Sequence, residues 1–168
     1  MDAKNKSGMT LTLPSDLEFK LTRAFDAPRR LVFEAWTQPE HMRHWYGCDM
    51  AELIVCEIDL RAGGAYRFIM RETSGRTGKL HGVYRDVQAP ARLIYTQGYV
   101  TEGFASPIAL VTTTFAEVDG KTLLASVALH DTKADRDAHL ASGVEHGAAA
   151  SLDNLEAHLR TMALSAAS

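Results

Sequence analysis

The chain has 168 residues and a mass of 18.4 kDa; 46% of the residues are hydrophobic and 23% charged, and 18 basic against 21 acidic side chains leave a net charge of −3. A single domain of this length buries roughly two thirds of the surface its unfolded chain exposes, so it needs neither disulfides nor a structural metal. The mild acidity, with no basic cluster beyond pairs such as Arg29-Arg30, argues against nucleic acid, and the lack of ~18 consecutive apolar residues or of a signal peptide's apolar core argues for a cytoplasmic location away from membranes.

Residues 1–16 mix Lys, Asn, Ser, Gly and Thr without a sustained period and read as a flexible N-terminal arm, ahead of a domain over 17–163 and a tail over 164–168. Leu17, Phe19, Leu21 and Phe25 alternate with Glu18, Lys20 and Thr22 as in a half-buried strand, which Arg23 interrupts. Pro28 opens a helix carrying Leu31, Val32, Phe33, Ala35 and Trp36. Thr37-Gln38-Pro39-Glu40 has the spacing of a capping box, and the helix it starts bears Met42 and Trp45 before Tyr46-Gly47 ends it.

A meander of strands follows. Ile54, Cys56, Ile58 and Leu60 share one parity, as do Tyr66, Phe68 and Met70, then Leu80, Gly82 and Tyr84, then Leu93 and Tyr95; segment 97–107 reads as a loop. Asp119-Gly120 is the two-residue signature of a type I′ hairpin, which sets Val118 opposite Lys121, Phe115 opposite Leu124, Thr113 opposite Ser126, Val111 opposite Ala128 and Ala109 opposite His130. The other face of this hairpin holds Leu110, Leu123, Val127 and Leu129. The pair is therefore either covered on both sides or in contact with another subunit. From a cap at Thr132, a stripe of Leu140, Val144, Ala148, Leu152, Leu155, Leu159 and Met162 predicts one long helix. Gly143 and Gly147 in its interior indicate close backbone approach, a bend, or room for something else.

Cys48 and Cys56 are too few to staple the domain and read as reduced thiols. His41 and His44 are three apart and His139 and His146 seven apart, but no third ligand has metal-site spacing, so neither a metal nor a cofactor is expected.

Phe25-Asp26-Ala27-Pro28, Ala35-Trp36-Thr37-x-Pro39-Glu40, Trp45, Asp59-Leu60-Arg61-x-Gly63-Gly64, Gly82-Val83-Tyr84, Pro90-x-Arg92-Leu93 and Gly120-Lys121-Thr122 together resemble the START-like helix-grip proteins, also called SRPBCC or Bet v 1-like. Within these the chain is similar to the branch named after the C-terminal domain of the activator of heat shock protein 90 ATPase, over about residues 17–163. The resemblance implies an α+β helix-grip fold: a curved seven-stranded antiparallel sheet wrapped around a long C-terminal helix, with two short helices after strand 1 closing one end of a hydrophobic cavity. It implies a binder of lipids, polyketides or other apolar small molecules, while some members are cyclases or related enzymes. The eukaryotic activator engages its chaperone through a further N-terminal domain, for which the arm here leaves no room. The branch commonly has Gly-Trp on its C-terminal helix, the indole entering the interior; this sequence has Gly147-Ala148, which enlarges the cavity.

On these parities the cavity is lined by Tyr66, Phe68, Met70, Tyr84, Tyr95, Val111, Thr113, Phe115, Leu124 and Ser126 from the sheet, Trp45 from the entrance helix, and Val144, Gly147 and Ser151 from the long helix. Its buried hydroxyls must bond to each other, to water or to a ligand. The expected function is non-catalytic binding of an apolar small molecule. The alternatives are a chaperone-associated or stress-response protein, dimeric through the outer face of the 109–130 hairpin, and an enzyme using His130 or His146 as acid–base group. Cys48 is a further nucleophile to consider, though nothing around it in sequence lowers its pKa.

Overall fold

The computed structural model describes residues 3–4, 8–47 and 51–167. In chain order, β1 (Ala3–Lys4), β2 (Thr10–Ser15) and β3 (Glu18–Phe25) precede α1 (Arg29–Thr37) and α2 (Pro39–Trp45). Then come β4 (Ala51–Ile58), β5 (Ala65–Glu72), β6 (Thr77–Gln88), β7 (Arg92–Thr101), β8 (Phe104–Ala105), β9 (Ala109–Val118) and β10 (Lys121–Leu129), followed by α3 (Lys133–Ala141) and α4 (Val144–Ala167). The strands form one antiparallel sheet in the order β1-β2-β3-β10-β9-β7-β6-β5-β4, with β8 on β7. This is the α+β helix-grip arrangement. The seven expected strands are β3, β4, β5, β6, β7, β9 and β10, and β1, β2 and β8 are additions.

The additions are corrections with local causes. Thr10–Ser15 is not a loose arm, because it pairs with β3 from Thr10↔Thr22 onward and Met9 just before it is fully buried. Its side chains are half-buried or exposed, so the edge strand carries no inside–outside pattern to read. Residues 97–107 are not all loop either. β7 runs on to Thr101, turns at Gly103 with φ +77°, and pairs Val100 with Ala105. In β4 a bulge between Leu53 and Val55 shifts parity, so Leu53 rather than Ile54 shares the inner face with Cys56.

The hairpin forms as expected. Asp119 and Gly120 both have positive φ, 54° and 76°, and pair Val118 with Lys121, Phe115 with Leu124, Thr113 with Ser126 and Val111 with Ala128. It lies centrally between β3 and β7, yet its outer face is not covered: Leu110, Leu123 and Leu129 are 37%, 49% and 39% exposed.

The helices depart from expectation at their ends. Thr37 caps nothing; it is the last residue of α1, its hydroxyl donates to the Phe33 carbonyl, and Pro39 opens α2 behind an uncapped Gln38. The predicted single C-terminal helix is two. Thr132 caps α3 by accepting from the Asp135 amide, but Gly143, at φ +90°, leaves the helical region and α4 restarts at Val144. Leu152, Leu155, Leu159 and Met162 of α4 join Phe19, Phe25, Val32 and Phe115 in the core.

Arg23, the residue that breaks the β3 pattern, lies 4% exposed on the inner face and passes over the Phe25 ring to reach Asp153 at 2.6 Å and Glu156 at 2.9 Å on α4. The two carboxylates stay substantially solvated, at 52% and 40%, so the partners are unequal. Replacing Arg23 by Met leaves two hydrated acids and is expected to cost about 1 kcal/mol. The double change Asp153→Ala, Glu156→Ala strands a buried guanidinium and is expected to cost about 3 kcal/mol in urea unfolding.

Candidate functional site

The inner face of β5, β6 and β7 brings three phenols together. Tyr84 sits opposite Tyr95 in the β6–β7 ladder, and Tyr66 sits opposite Gly82 in the β5–β6 ladder. The missing side chain at Gly82 makes this possible: a Cβ there would collide with the Thr96 carbonyl and stand 2.7 Å from a Tyr66 ring carbon. The Tyr66 ring centroid is 5.5 Å from that of Tyr84 and 5.7 Å from that of Tyr95. Phe68 extends the group at 5.2 Å from Tyr66, and Tyr46, at the end of α2, packs edge-on against Phe68.

The hydroxyls of this face form a chain. Tyr95 Oη lies 3.0 Å from Thr113 Oγ1, which lies 2.8 Å from Ser126 Oγ, while Tyr66 Oη donates to the Thr96 carbonyl at 2.7 Å. Burial pushes Tyr46, Tyr66, Tyr84 and Tyr95 above the ordinary phenol pKa, with neighbouring phenols adding to the shift for the first three. These groups are therefore neutral throughout the physiological range. Burial likewise raises the Cys56 thiol to about 11, so it is not a thiolate nucleophile.

The remaining expected residues divide between this face, the packing above it and the helix. Val111 and Leu124 are buried on the inner face, and Met70, on β5, is half-buried against the core. Phe115 is wedged between Phe33 at 5.3 Å and Trp36 at 6.0 Å. Trp45 is 2% exposed, lies on Trp36 and donates Nε1–H to the Ala35 carbonyl at 2.9 Å. Both thus fasten the helix pair to the sheet. Val144, Gly147 and Ser151 lie half-buried along one flank of α4, and a Cβ built on Gly147 would meet nothing within 4 Å. Ser151 does not join the hydroxyl chain; its Oγ accepts from the Gly47 amide and donates to the Gly47 carbonyl, with Asn154 Nδ2 reaching the same carbonyl at 3.4 Å.

Over residues 26–160 the chain matches the family of Activator of Hsp90 ATPase homolog 1-like proteins. The chain belongs to this family. Its fold is similar to that of a crystal structure from Rhodobacter sphaeroides, 25% identical, at a TM-score of 0.84 over 91% of this chain and 98% of that one. A Rhizobium leguminosarum protein is 30% identical at a TM-score of 0.67, over 86% and 94% of the two chains. One from Nitrosomonas europaea, at 23% identity and a TM-score of 0.80 over 90% and 99%, shares the fold. No curated protein matches the sequence. No helix among the described residues is long and apolar enough to cross a membrane.

Neither acid–base alternative shares a ring contact or hydrogen bond with the phenols of this family member. His130 is 5% exposed with both ring nitrogens engaged: Nδ1–H donates to the Leu17 carbonyl, so Nε2 accepts from His139 Nδ1–H, each at 2.9 Å. His146 is exposed on α4, and Cys48 lies outside the described residues. Tyr46, Asn154 and His158 are structurally prominent residues that the sequence did not assign to the site, and Cys56 read there only as a reduced thiol on a strand. The signal for Tyr46 was its place next to Gly47 at the helix end, while the others meet their partners only through the fold. His158 supplies a third imidazole beside His41 and His44, although among the described residues no three His, Cys, Asp or Glu side chains are arranged to hold a metal.

Burial against Phe19, reinforced by His130, lowers the His139 pKa to about 4. The folded state disfavours the proton that the unfolded chain accepts near pH 6.5, so stability is constant above that pH and falls as pH drops toward 4. After allowance for partial exposure the loss is on the order of 1–2 kcal/mol. His139→Gln, which still donates to His130 without titrating, is expected to flatten this part of the pH–stability curve measured by urea unfolding.

Proposed function

We propose that the protein binds an apolar small molecule between the N-terminal half of α4 and the phenol-bearing inner face of β5, β6 and β7, without chemistry. The observation that carries this reading is the open space at Gly147. Where the family helix is expected to carry an indole after glycine, Ala148 presents only a methyl, and the stretch from Val144 to Ser151 is half-buried instead of filled. A site of apolar rings with a few fixed hydroxyls suits a lipid- or polyketide-like ligand, held by burial and oriented by hydrogen bonds from neutral phenols. The chaperone-partner reading has the family's description in its favour, but no feature of the sheet or helices supports it as Gly147 supports a ligand.

Titration with an apolar naphthalene dye, followed by its fluorescence and by that of Trp36 and Trp45, tests the site. Saturable binding is expected in the wild type. Ala148→Trp, which refills the space, is expected to weaken binding at least about tenfold, equivalent to roughly 1.4 kcal/mol. Unchanged affinity in that variant would refute the site.

The bare outer face favours a second, compatible reading, a homodimer. Leu110, Leu123, Val127 and Leu129 form a contiguous apolar patch on two central strands, which a monomer would leave in water. Light scattering is expected to give twice the chain mass, and Val127→Glu to halve it; a wild-type monomer at high concentration rules the dimer out.

A further inference from the structure

The seam between α2 and α4 is fastened at two places of different chemistry. At the C-terminal end of α2 the fasteners are Ser151 and Asn154 on the backbone of Gly47, and none of these groups titrates. Seven residues further along α4, two helical turns away, the fastener is made of imidazoles. His41 Nδ1 lies 3.0 Å from His158 Nε2, and His44 stacks on His158 with ring centroids 4.8 Å apart and planes within 12°. They line a crevice of about 400 Å³ between α1, α2 and α4.

The hydrogen bonds around His158 assign its protons. Thr161 donates its hydroxyl proton to the His158 backbone carbonyl at 2.7 Å, so toward the ring, 3.5 Å away, Thr161 Oγ1 can only accept. His158 Nδ1 then carries the hydrogen, its Nε2 is a bare acceptor, and His41 Nδ1–H donates to it. One further proton added to His158 goes to Nε2 and sets a cation under the His44 ring, and His41 can then accept only by moving its own hydrogen to Nε2; a second proton on the pair leaves two N–H donors facing each other at hydrogen-bond distance.

We propose that His41, His44 and His158 form a proton-sensitive clasp that holds the outer side of α2 against α4 when neutral and loosens it on mild acidification, while Met42 and Trp45 keep the helix in the core. The proposal rests on the geometry of the seam and does not require the ligand reading. Burial, reinforced by His44 and His41, holds the His158 pKa below the ordinary histidine value, in keeping with a ring stabilised as the free base. The other charges facing the crevice set the extent of the effect. α1 contributes Arg30 and Glu34, paired at 3.0 Å, and α2 contributes Glu40; Thr161 and Ser165 of α4 are uncharged. Glu40 can offset a first imidazolium, but nothing in the crevice offsets a second or third.

Hydrogen exchange of the α2 amides, corrected for the intrinsic pH dependence, tests the clasp between about pH 7.5 and pH 5.5. In the wild type the protection of residues 41–46 is expected to fall at least about fivefold on acidification, while that of β9 and β10 holds. The double variant His41→Gln, His158→Gln keeps a hydrogen bond across the seam and leaves His44 with no imidazole neighbour to repel, and its α2 protection is expected not to change. Equal α2 protection at both pH values in the wild type, or an equal fall in the double variant, overturns the proposal. Should the double variant not fold, imidazole NMR titration of the wild type decides: one midpoint shared by the His158 ring and the α2 amides supports the clasp, and a His158 titration that leaves those amides unmoved refutes it.

Discussion

The structure depends on how α4 is held to the sheet. Its C-terminal half is anchored by burial of Leu152, Leu155, Leu159 and Met162, each worth on the order of 2 kcal/mol, and by the reach of Arg23 from β3 to Asp153 and Glu156. Its N-terminal half has no comparable anchor. From Val144 to Ser151 the largest side chain turned toward the molecule is a valine, and Gly143 uncouples this end from α3. A helix fixed at one end and packed at the other only through Val144, Ala148 and Ala149 is thinly filled there, and the larger apolar contacts that stabilise the domain lie elsewhere.

The sheet is adapted to the same constraint. Gly82 lets the Tyr66 ring lie down across β6, and the opposing pairs of the β6–β7 ladder set Tyr84 and Tyr95 beside it, so that large rings fill part of what the helix does not. Opposite them, the helix pair is fixed independently through Trp36, Trp45, Phe33 and Phe115. Between these two packed regions runs the α2–α4 seam, where Met42 and Trp45 share the core with Leu155 and Leu159 and the rim is polar: Ser151 and Asn154 on Gly47, and imidazoles on imidazole. Polar contacts at a half-exposed rim contribute about 1 kcal/mol each, well below the apolar packing beneath, so the rim loosens at less cost than the core.

What the sequence discloses and what it conceals divide by range. The β9–β10 register is local: a two-residue turn needing positive φ twice admits Asp-Gly, and every pair of that ladder follows by counting. The residues expected on the inner face are there because side-chain alternation survives wherever a strand has one buried side. It fails where that condition fails, in the edge strand Thr10–Ser15 and across the β4 bulge that exchanges Ile54 for Leu53. Gly143 was legible as an anomaly but not as a break, since a glycine within a helical stripe is compatible with a bend, a close approach or a stop, and only φ separates them. His158 could not be joined to His41 and His44 by spacing, because it reaches them across more than a hundred residues of chain. Arg23 misled for the same reason, its carboxylate partners lying on the last helix.

The electrostatics of the inner face narrow the kind of ligand that the proposed site would take. Three buried phenols and half-buried Tyr46 at the end of α2, their ionisation strongly opposed, present neutral O–H groups and ring edges, and the nearby Cys56 thiol is neutral as well. Arg23, the one cation on the inner face of β3, is already bound to two carboxylates. A ligand with a fixed charge would therefore exchange full hydration for weak dipoles, a cost of several kcal/mol that this face does not repay. A neutral ligand with carbonyl or ether oxygens loses only its bonds to water and can regain them from the hydroxyl chain of Tyr95, Thr113 and Ser126. Selectivity on such a face rests on the number and position of acceptors on an otherwise apolar molecule, because an acceptor out of reach of a hydroxyl is buried unpaired.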